Sequence, residues 1–210
     1  MAMKIFKDRQ SAGRLLAKHL KEYKAKKNTL VLGIPRGGVV VAAQVARSLN
    51  LPLDIMVTRK IGAPFQPELA LGAVDADKEV VWNLKEINDL GLKIKDLKKE
   101  AEKQVCEIKR REVLYRQGKT PLSVADKMIL LVDDGIATGL TILSAAKYLK
   151  RHKVKKIILA APVASQDAGL KLLEHMDESV ILETPGDFQA VGQFYQSFEP
   201  VEDAEVIQLM

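Results

Sequence analysis

Two adjacent carboxylates, Asp133 and Asp134, stand between an apolar run and a small-residue turn at residues 135–139. The apolar run predicts a buried parallel strand, and the apolar spacing beyond the turn predicts a helix that begins at about Gly139 or Leu140. Unpaired backbone N–H groups and the positive end of a helix dipole favour an anion such as a phosphate. The carboxylates would repel that phosphate and suit paired hydroxyl groups. Together the two halves of the motif match a ribose 5-phosphate.

The same residues are also compatible with an ordinary turn at the end of a strand, because Asp-Asp-Gly is common in turns. Such a turn has no need of Thr138, Gly139 and Thr141 at these offsets. The chain contains no GxGxxG and no GxxxxGK[ST]. These absences argue against a classical dinucleotide site and against a P-loop kinase or ATPase.

A second anion-binding pattern follows the first predicted strand, residues 29–34. It consists of Arg36 and two glycines, Gly37 and Gly38. The glycines allow the backbone to approach an anion closely, and Arg36 offers a bidentate positive charge. Taken alone, the segment could be a plain turn, but its place after an apolar strand favours an anion site.

The next predicted strand, residues 54–59, ends in a basic residue, Arg59, and a second one, Lys60, follows it directly. Side chains alternate along a strand, so only one of two neighbours can face a site. We favour Lys60 as the contributor to anion binding. The alternative is that both side chains face solvent.

Charge and composition limit the classes of function. The net charge is +6, but residues 1–159 carry 32 basic and 17 acidic side chains. A basic body could bind nucleic acid, yet only 5% of residues are aromatic, which leaves few stacking platforms. A small polyanionic substrate is the simpler explanation. The single cysteine, the lack of a membrane-length apolar run and an N-terminus without a signal-like apolar core predict a cytoplasmic protein with no membrane partner.

Predicted strands and helices alternate along the chain, which indicates an α/β fold with a largely parallel central sheet flanked by helices. Ligands of such sheets bind outside the carboxyl ends of the strands. We predict a single domain over residues 1–210. It would carry an insertion at about 61–127, with a hairpin and a helix, and a small C-terminal hood at about 184–210.

The stretch VDDGIATG at 132–139 resembles the phosphoribosyl pyrophosphate (PRPP) binding motif of type I phosphoribosyltransferases, and PRGG at 35–38 resembles their pyrophosphate loop. That loop often has an unusual peptide geometry in the family. The resemblance implies transfer of the 5-phosphoribosyl group from PRPP to a nitrogenous base or similar acceptor, with release of pyrophosphate. A regulator that binds PRPP without turnover is the main alternative, and a hydrolase is a weaker one.

The resemblance also implies roles for individual residues. Asp133 and Asp134 would be the catalytic pair that holds the ribose hydroxyls or Mg²⁺, directly or through water. The 5-phosphate would be held by Gly135, Ile136, Ala137, Thr138, Gly139 and Thr141, and the pyrophosphate by Arg36, Gly37, Gly38 and Lys60. Purine enzymes often carry a carboxylate in the loop that holds the 5-phosphate. This phosphate loop, residues 135–139 here, has Ile136 and Ala137 instead, so a purine assignment is not supported.

Two further parts of the site follow from the resemblance. A lid would exclude water, and Arg111 and Arg116 in the basic segment 110–121 are its candidates, with a solvated helix end as the alternative. Phe188, Phe194 and Tyr195 in the hood could stack on the base, or could instead close a small satellite core. We expect a homodimer whose partners are PRPP and an unidentified base, with no nucleic acid.

Overall fold

The computed structural model describes residues 5–210. Its strands are β1 (Thr29–Gly33), β2 (Leu53–Ile55), β3 (Arg59–Ala63), β4 (Gln66–Val74), β5 (Val80–Trp82), β6 (Met128–Val132), β7 (Lys156–Val163) and β8 (Glu178–Glu183). Its helices are α1 (Arg9–His19), α2 (Gly37–Leu49), α3 (Leu84–Asp89), α4 (Ile94–Arg116), α5 (Leu140–Arg151), α6 (Gln166–Leu173) and α7 (Asp203–Leu209).

Five strands form a parallel sheet in the order β2-β1-β6-β7-β8, flanked by helices. The predicted fold class is confirmed. Gly33 pairs with Val132, and Val132 with Ala160. These pairings bring the ends of β1 and β6 to one level beside β7. The segments that follow β1 and β6 therefore meet at the carboxyl edge of the sheet.

The two faces of the sheet bury alternate residues of the same strands. Leu131 and its neighbours on one face pack against α5 and α6, whereas Leu130 and Val132 pack on the other face against α1 and α2. Every residue of β1 is buried. Burial on both faces is what a parallel sheet covered by helices requires, and it explains why these strands are continuous apolar runs in the sequence.

The insertion contains an antiparallel sheet in the order β3-β4-β5. The predicted hairpin is confirmed as β4 and β5, with Val74 opposite Val80. The predicted strand over residues 54–59 is wrong in its extent, because β2 ends at Ile55 and Arg59 begins β3 in the other sheet. The apolar pattern continues through 56–58, so the sequence gives no sign that the strand partner changes there.

α4 packs against β3 and α7, and its buried residues join an apolar cluster with Val206 of α7. No helix among residues 5–210 is long and apolar enough to cross a membrane. The division into one domain, an insertion and a hood stays a prediction.

Candidate functional site

The acidic pair lies directly after β6, at the carboxyl edge of the sheet. The backbone N–H of Asp134 donates to Oδ1 of Asp133 over 2.9 Å, and the backbone N–H of Asp133 donates to the carbonyl of Ala160 over 3.3 Å. Burial and the neighbouring charge of Asp134 raise the pKa of Asp133 above its ordinary value. The strand thus fixes two carboxyl groups that repel each other when both are ionised.

Arg9 of α1 separates the roles of the two carboxylates. Its Nε donates to Oδ2 of Asp134 over 2.6 Å, and the two side chains are only 11% and 14% exposed. The Arg9 guanidinium also lies 3.7 Å from the ring centroid of Phe198, and Nη1 donates to the carbonyl of Glu199 over 2.8 Å. Sequence reasoning treated Asp133 and Asp134 alike and missed Arg9, which is 125 positions from its partner and carries no local signal.

The loop at 135–139 has the predicted form. Gly139 has a φ of 74°, and α5 begins at Leu140. Oγ of Ser165 donates to the carbonyl of Ala137 over 2.7 Å, which ties the loop to the segment after β7. One predicted phosphate ligand is contradicted: the side chain of Ile136 is buried, and its N–H donates to the carbonyl of Val163 over 3.0 Å. Ile136 anchors the loop instead of facing an anion.

A cleft of about 160 Å³ joins this loop to the insertion. Its lining comprises Lys60, Ala70, Asp133, Val191 and residues 135–141. Lys60 therefore borders the same cleft as Asp133, and its Nζ donates to Oε2 of Glu68 over 3.0 Å. Thr141 belongs to the lining, and its carbonyl accepts a hydrogen bond from Oγ1 of Thr58 over 3.2 Å.

The PRGG segment lies against the acidic pair. A Cβ added to Gly37 would lie 1.9 Å from Oδ2 of Asp134, and one added to Gly38 would lie 2.7 Å from Oδ1 of Asp133. The two glycines are thus required by close approach rather than by a turn. The peptide between Pro35 and Arg36 is cis, an unusual geometry of the kind expected for this loop. This arginine loop, residues 35–38, and the acidic pair share one edge of the sheet.

The two arginines predicted for a lid do not line the cleft. Arg116, 11% exposed, pairs through Nε with Asp54 over 3.1 Å, and Arg111, 12% exposed, pairs through Nε with Glu107 over 2.7 Å. Arg116 is held against β2 by Asp54, and Arg111 is held along α4 itself by Glu107. The β3–β4 hairpin is the part of the insertion that borders the cleft.

The three hood aromatics divide into two groups. Phe194 is fully buried and Tyr195 is 6% exposed, both in a satellite core with Phe6. Neither offers a free face to a base, so the prediction of a base pocket is wrong for these two rings. Phe188 is partly exposed and, with Trp82, lines a larger cavity of about 700 Å³ that loop residues 137–139 also border.

The tyrosine has a different use at the site. The Tyr195 hydroxyl donates to the backbone carbonyl of Asp134 over 2.6 Å. Burial is the main cause of a raised pKa for Tyr195, and the charge of Asp134 adds to it. Tyr195 therefore remains a neutral donor that helps to fix the acidic segment.

Comparison with known proteins agrees with this geometry. A family model described as the phosphoribosyl transferase domain matches residues 4–195. "Putative phosphoribosyl transferase Rv0571c" of Mycobacterium tuberculosis is 42% identical over 205 residues, which are 98% of this chain. Those residues are only 46% of the mycobacterial protein, so the chain spans about half the length of the curated relatives it matches.

Solved structures extend the comparison. The crystal structure of TT1426 from Thermus thermophilus superposes with a TM-score of 0.79 at 38% identity, over 99% of this chain and 97% of the other. A purine phosphoribosyltransferase from Pyrococcus horikoshii superposes with a TM-score of 0.50 at 16% identity, over 92% of each chain, and shares the fold. The chain belongs to the phosphoribosyl transferase family and has the type I fold.

Proposed function

We propose that this domain binds PRPP and transfers its 5-phosphoribosyl group to a nitrogen nucleophile, with release of pyrophosphate. The observation that supports this best is the contact of Gly37 and Gly38 with the two carboxylates, because it joins the arginine loop and the phosphate loop in one site. The chain spans only about half of its curated relatives, so the activity of a longer protein is part of the proposal.

In the proposed complex, the 5-phosphate accepts hydrogen bonds from free N–H groups of residues 137–139 and from the hydroxyls of Thr138 and Thr141. Asp133 accepts hydrogen bonds from the ribose hydroxyls. Arg36 and Lys60 face the pyrophosphate and stabilise the negative charge that grows on it as its bond to the anomeric carbon breaks. Catalysis of this kind depends on positioning and charge, and it needs no protein nucleophile.

The acidic pair fits one hard cation only in part. Oδ2 of Asp134 is taken by Arg9, which leaves Asp133 as the freer carboxylate. Mg²⁺ binds through one or two carboxylates together with substrate oxygens and water, so Asp133 suits a Mg²⁺ ion that arrives with PRPP. Such an ion would neutralise negative charge on the pyrophosphate.

The cavity of about 700 Å³ is our proposed acceptor site. It adjoins loop residues 137–139 and offers two partly exposed aromatic side chains, Trp82 and Phe188. Aromatic faces favour a planar ring by stacking. The sequence also leads us to propose a cytoplasmic homodimer that binds neither nucleic acid nor a membrane.

The experiment is a pyrophosphate-release assay with PRPP, Mg²⁺ and a panel of nucleobases, on the parent protein and on Asp133→Asn. We expect turnover to fall by about 100-fold, or about 3 kcal/mol in barrier, because the change removes the negative charge of Asp133 at nearly constant volume. Asp89→Asn, an exposed aspartate at the end of α3, is the matched control.

A regulator would give a different result. It would bind PRPP in a calorimetric titration and release no pyrophosphate with any base, in parent or variant. If the parent protein does not bind PRPP in the presence of Mg²⁺, the enzyme and the regulator are both excluded.

A further inference from the structure

Four arginines from three segments of the chain lie together at the PRGG segment, to which one of them belongs. This arginine cluster consists of Arg36 of the loop, Arg59 of β3, and Arg110 and Arg111 of α4. Burial lowers the pKa of Arg59, and the positive charges of Arg111 and Arg36 lower it further. Arginines whose positive charges act on one another in this way are stabilised by nearby anions. Glu107 supplies one, since it accepts hydrogen bonds from Arg110 and Arg111.

The second carboxylate of the cluster comes from α7. Oδ1 of Asp203 accepts a hydrogen bond from the Tyr115 hydroxyl over 2.6 Å and lies 3.7 Å from Nη1 of Arg36. Its other oxygen, Oδ2, lies 3.5 Å from Nη2 of Arg110. Glu202 also lies 3.9 Å from Nη1 of Arg36, with its side chain 76% exposed. Asp203 thus presents each of its oxygens to a different arginine, as a phosphate group would.

These contacts have the character of an exchangeable ion cluster. The arginine–carboxylate distances of 3.5–3.9 Å are longer than hydrogen bonds between charged groups. The Tyr115 hydrogen bond, with help from Arg111, Arg36 and Arg110, lowers the pKa of Asp203, so this carboxylate is ionised. α7 has only seven residues, of which Val206 alone is fully buried, while Ile207, Leu209 and the following Met210 pack partly exposed against the same apolar cluster. A short helix that contributes few fully buried side chains opens at lower cost than a core element.

The charge balance shows what the cluster would accept. In the structure, the four arginines have three negative partners, which are Glu107, Glu202 and Asp203. Without α7, only Glu107 remains against four positive charges. An anion with two or more charges and several acceptor oxygens would then match the arginines. Phosphate esters and pyrophosphate have this chemistry, whereas a neutral base does not.

We propose that Asp203 occupies the place of a phosphate group, and that the arginine cluster with Tyr115 is an anion site that takes pyrophosphate when α7 withdraws. The inference rests on the proposed function only for the assumption that Arg36 faces the pyrophosphate of PRPP. It adds Arg59, Arg110 and Arg111 to that end of the site. It also makes α7 an internal competitor of the ligand.

The test is a calorimetric titration of the whole chain with inorganic pyrophosphate. Asp203→Asn should bind pyrophosphate about fivefold more tightly than the parent protein, because the internal competitor loses its charge while the Tyr115 hydrogen bond can persist. Glu205→Gln is the matched control, since it makes the same charge change at an exposed position of α7. It should leave the affinity unchanged. Adding Arg110→Gln to Asp203→Asn should remove most of the gain.

Hydrogen exchange gives a second readout in the parent protein. Amides of α7 should exchange faster when pyrophosphate is added, because the ligand displaces the helix. Equal affinity in Asp203→Asn and the parent, an equal gain in Glu205→Gln, or slower exchange in α7 would each overturn the proposal.

The two proposals can fail separately. If Asp203→Asn gains affinity for pyrophosphate but no base supports turnover of PRPP, the anion site stands and the transferase does not. If PRPP is turned over and the affinity for pyrophosphate ignores Asp203, the transferase stands and the internal competitor does not.

Discussion

The two proposed anion sites are built in different ways. The phosphate loop, residues 135–139, contains no charged side chain and relies on backbone N–H groups and the start of α5. The other proposed site consists of the arginine cluster, which does not line the cleft beside that loop. Arg36, from the loop after β1, lies beside the carboxylates of Asp203 in α7 and of Glu202, the residue before α7. The phosphate loop is built from backbone groups, and the arginine cluster from charged side chains.

The difference has a physical consequence. Backbone dipoles at a helix start are fixed by the fold and need no counter-ion within the protein. Arginines at close range repel one another and suffer a desolvation penalty, so the fold brings carboxylates to them. Those carboxylates then compete with any ligand. In the proposed complex the loop would accept an anion directly, whereas the arginine cluster would exchange one anion for another.

The largest expected effect tests the pairing of charges near the arginine loop. Arg9→Gln should lower the free energy of unfolding by about 2 kcal/mol, because it leaves the nearly buried Asp134 without its ionic partner. Chemical denaturation monitored by circular dichroism would measure the change. Arg14→Gln, at an exposed position of α1, should leave the stability within about 0.5 kcal/mol of the parent.

A double variant sharpens this result. Asp134→Asn combined with Arg9→Gln should recover much of the lost stability, since no unpaired charge remains. A single Arg9 variant as stable as the parent would show that the pair contributes nothing and that the carboxylate is adequately solvated.

An intermediate effect is expected in the phosphate loop. Gly139→Ala should destabilise the protein by roughly 1–2 kcal/mol, because Gly139 has a φ of 74° and alanine is strained there. The added Cβ would also lie 3.1 Å from Cδ1 of Leu172. PRPP should bind more weakly, since the N–H groups at the start of α5 would shift. Gly186→Ala is the control, because its Cβ would meet no atom within 4 Å. Equal behaviour of the two variants would refute a preorganised loop.

The smallest effect concerns the counter-ion within the arginine cluster. Hydrogen bonds from Arg110 and Arg111 lower the pKa of Glu107 from 4.5 to about 2. A lowered folded-state pKa stabilises the protein above pH 4.5, and this contribution disappears as the pH falls from 4.5 to about 2. Glu107→Gln should therefore cost about 0.5 kcal/mol at pH 7, given its partly exposed side chain, and nothing near pH 2.

Thermal unfolding at several pH values would measure that difference. Glu102→Gln, on an exposed face of the same helix, is the reference variant. A cost for Glu107→Gln that does not change with pH would mean that packing, rather than charge, explains it.

Local patterns in the sequence predicted much of the fold and part of the site. The apolar run before Asp133, the glycines of both loops and the helix start at Leu140 each depend on neighbours within a few positions. Burial on both faces of a parallel sheet leaves a continuous apolar run that is easy to recognise. The sequence therefore predicted which loops lie at the carboxyl edge, and the fold class is confirmed.

Only the tertiary structure decided which charges meet. Arg9 lies 2.6 Å from Asp134 across 125 positions, and Asp203 reaches Arg36 from the last helix of the described chain. Charged residues are common on every helix surface, and their spacing says nothing about a distant partner. Strand pairing and helix packing bring these groups together. The fold therefore decides that Arg9 pairs with Asp134 and leaves Asp133 the freer carboxylate, and that Asp203 lies within the arginine cluster.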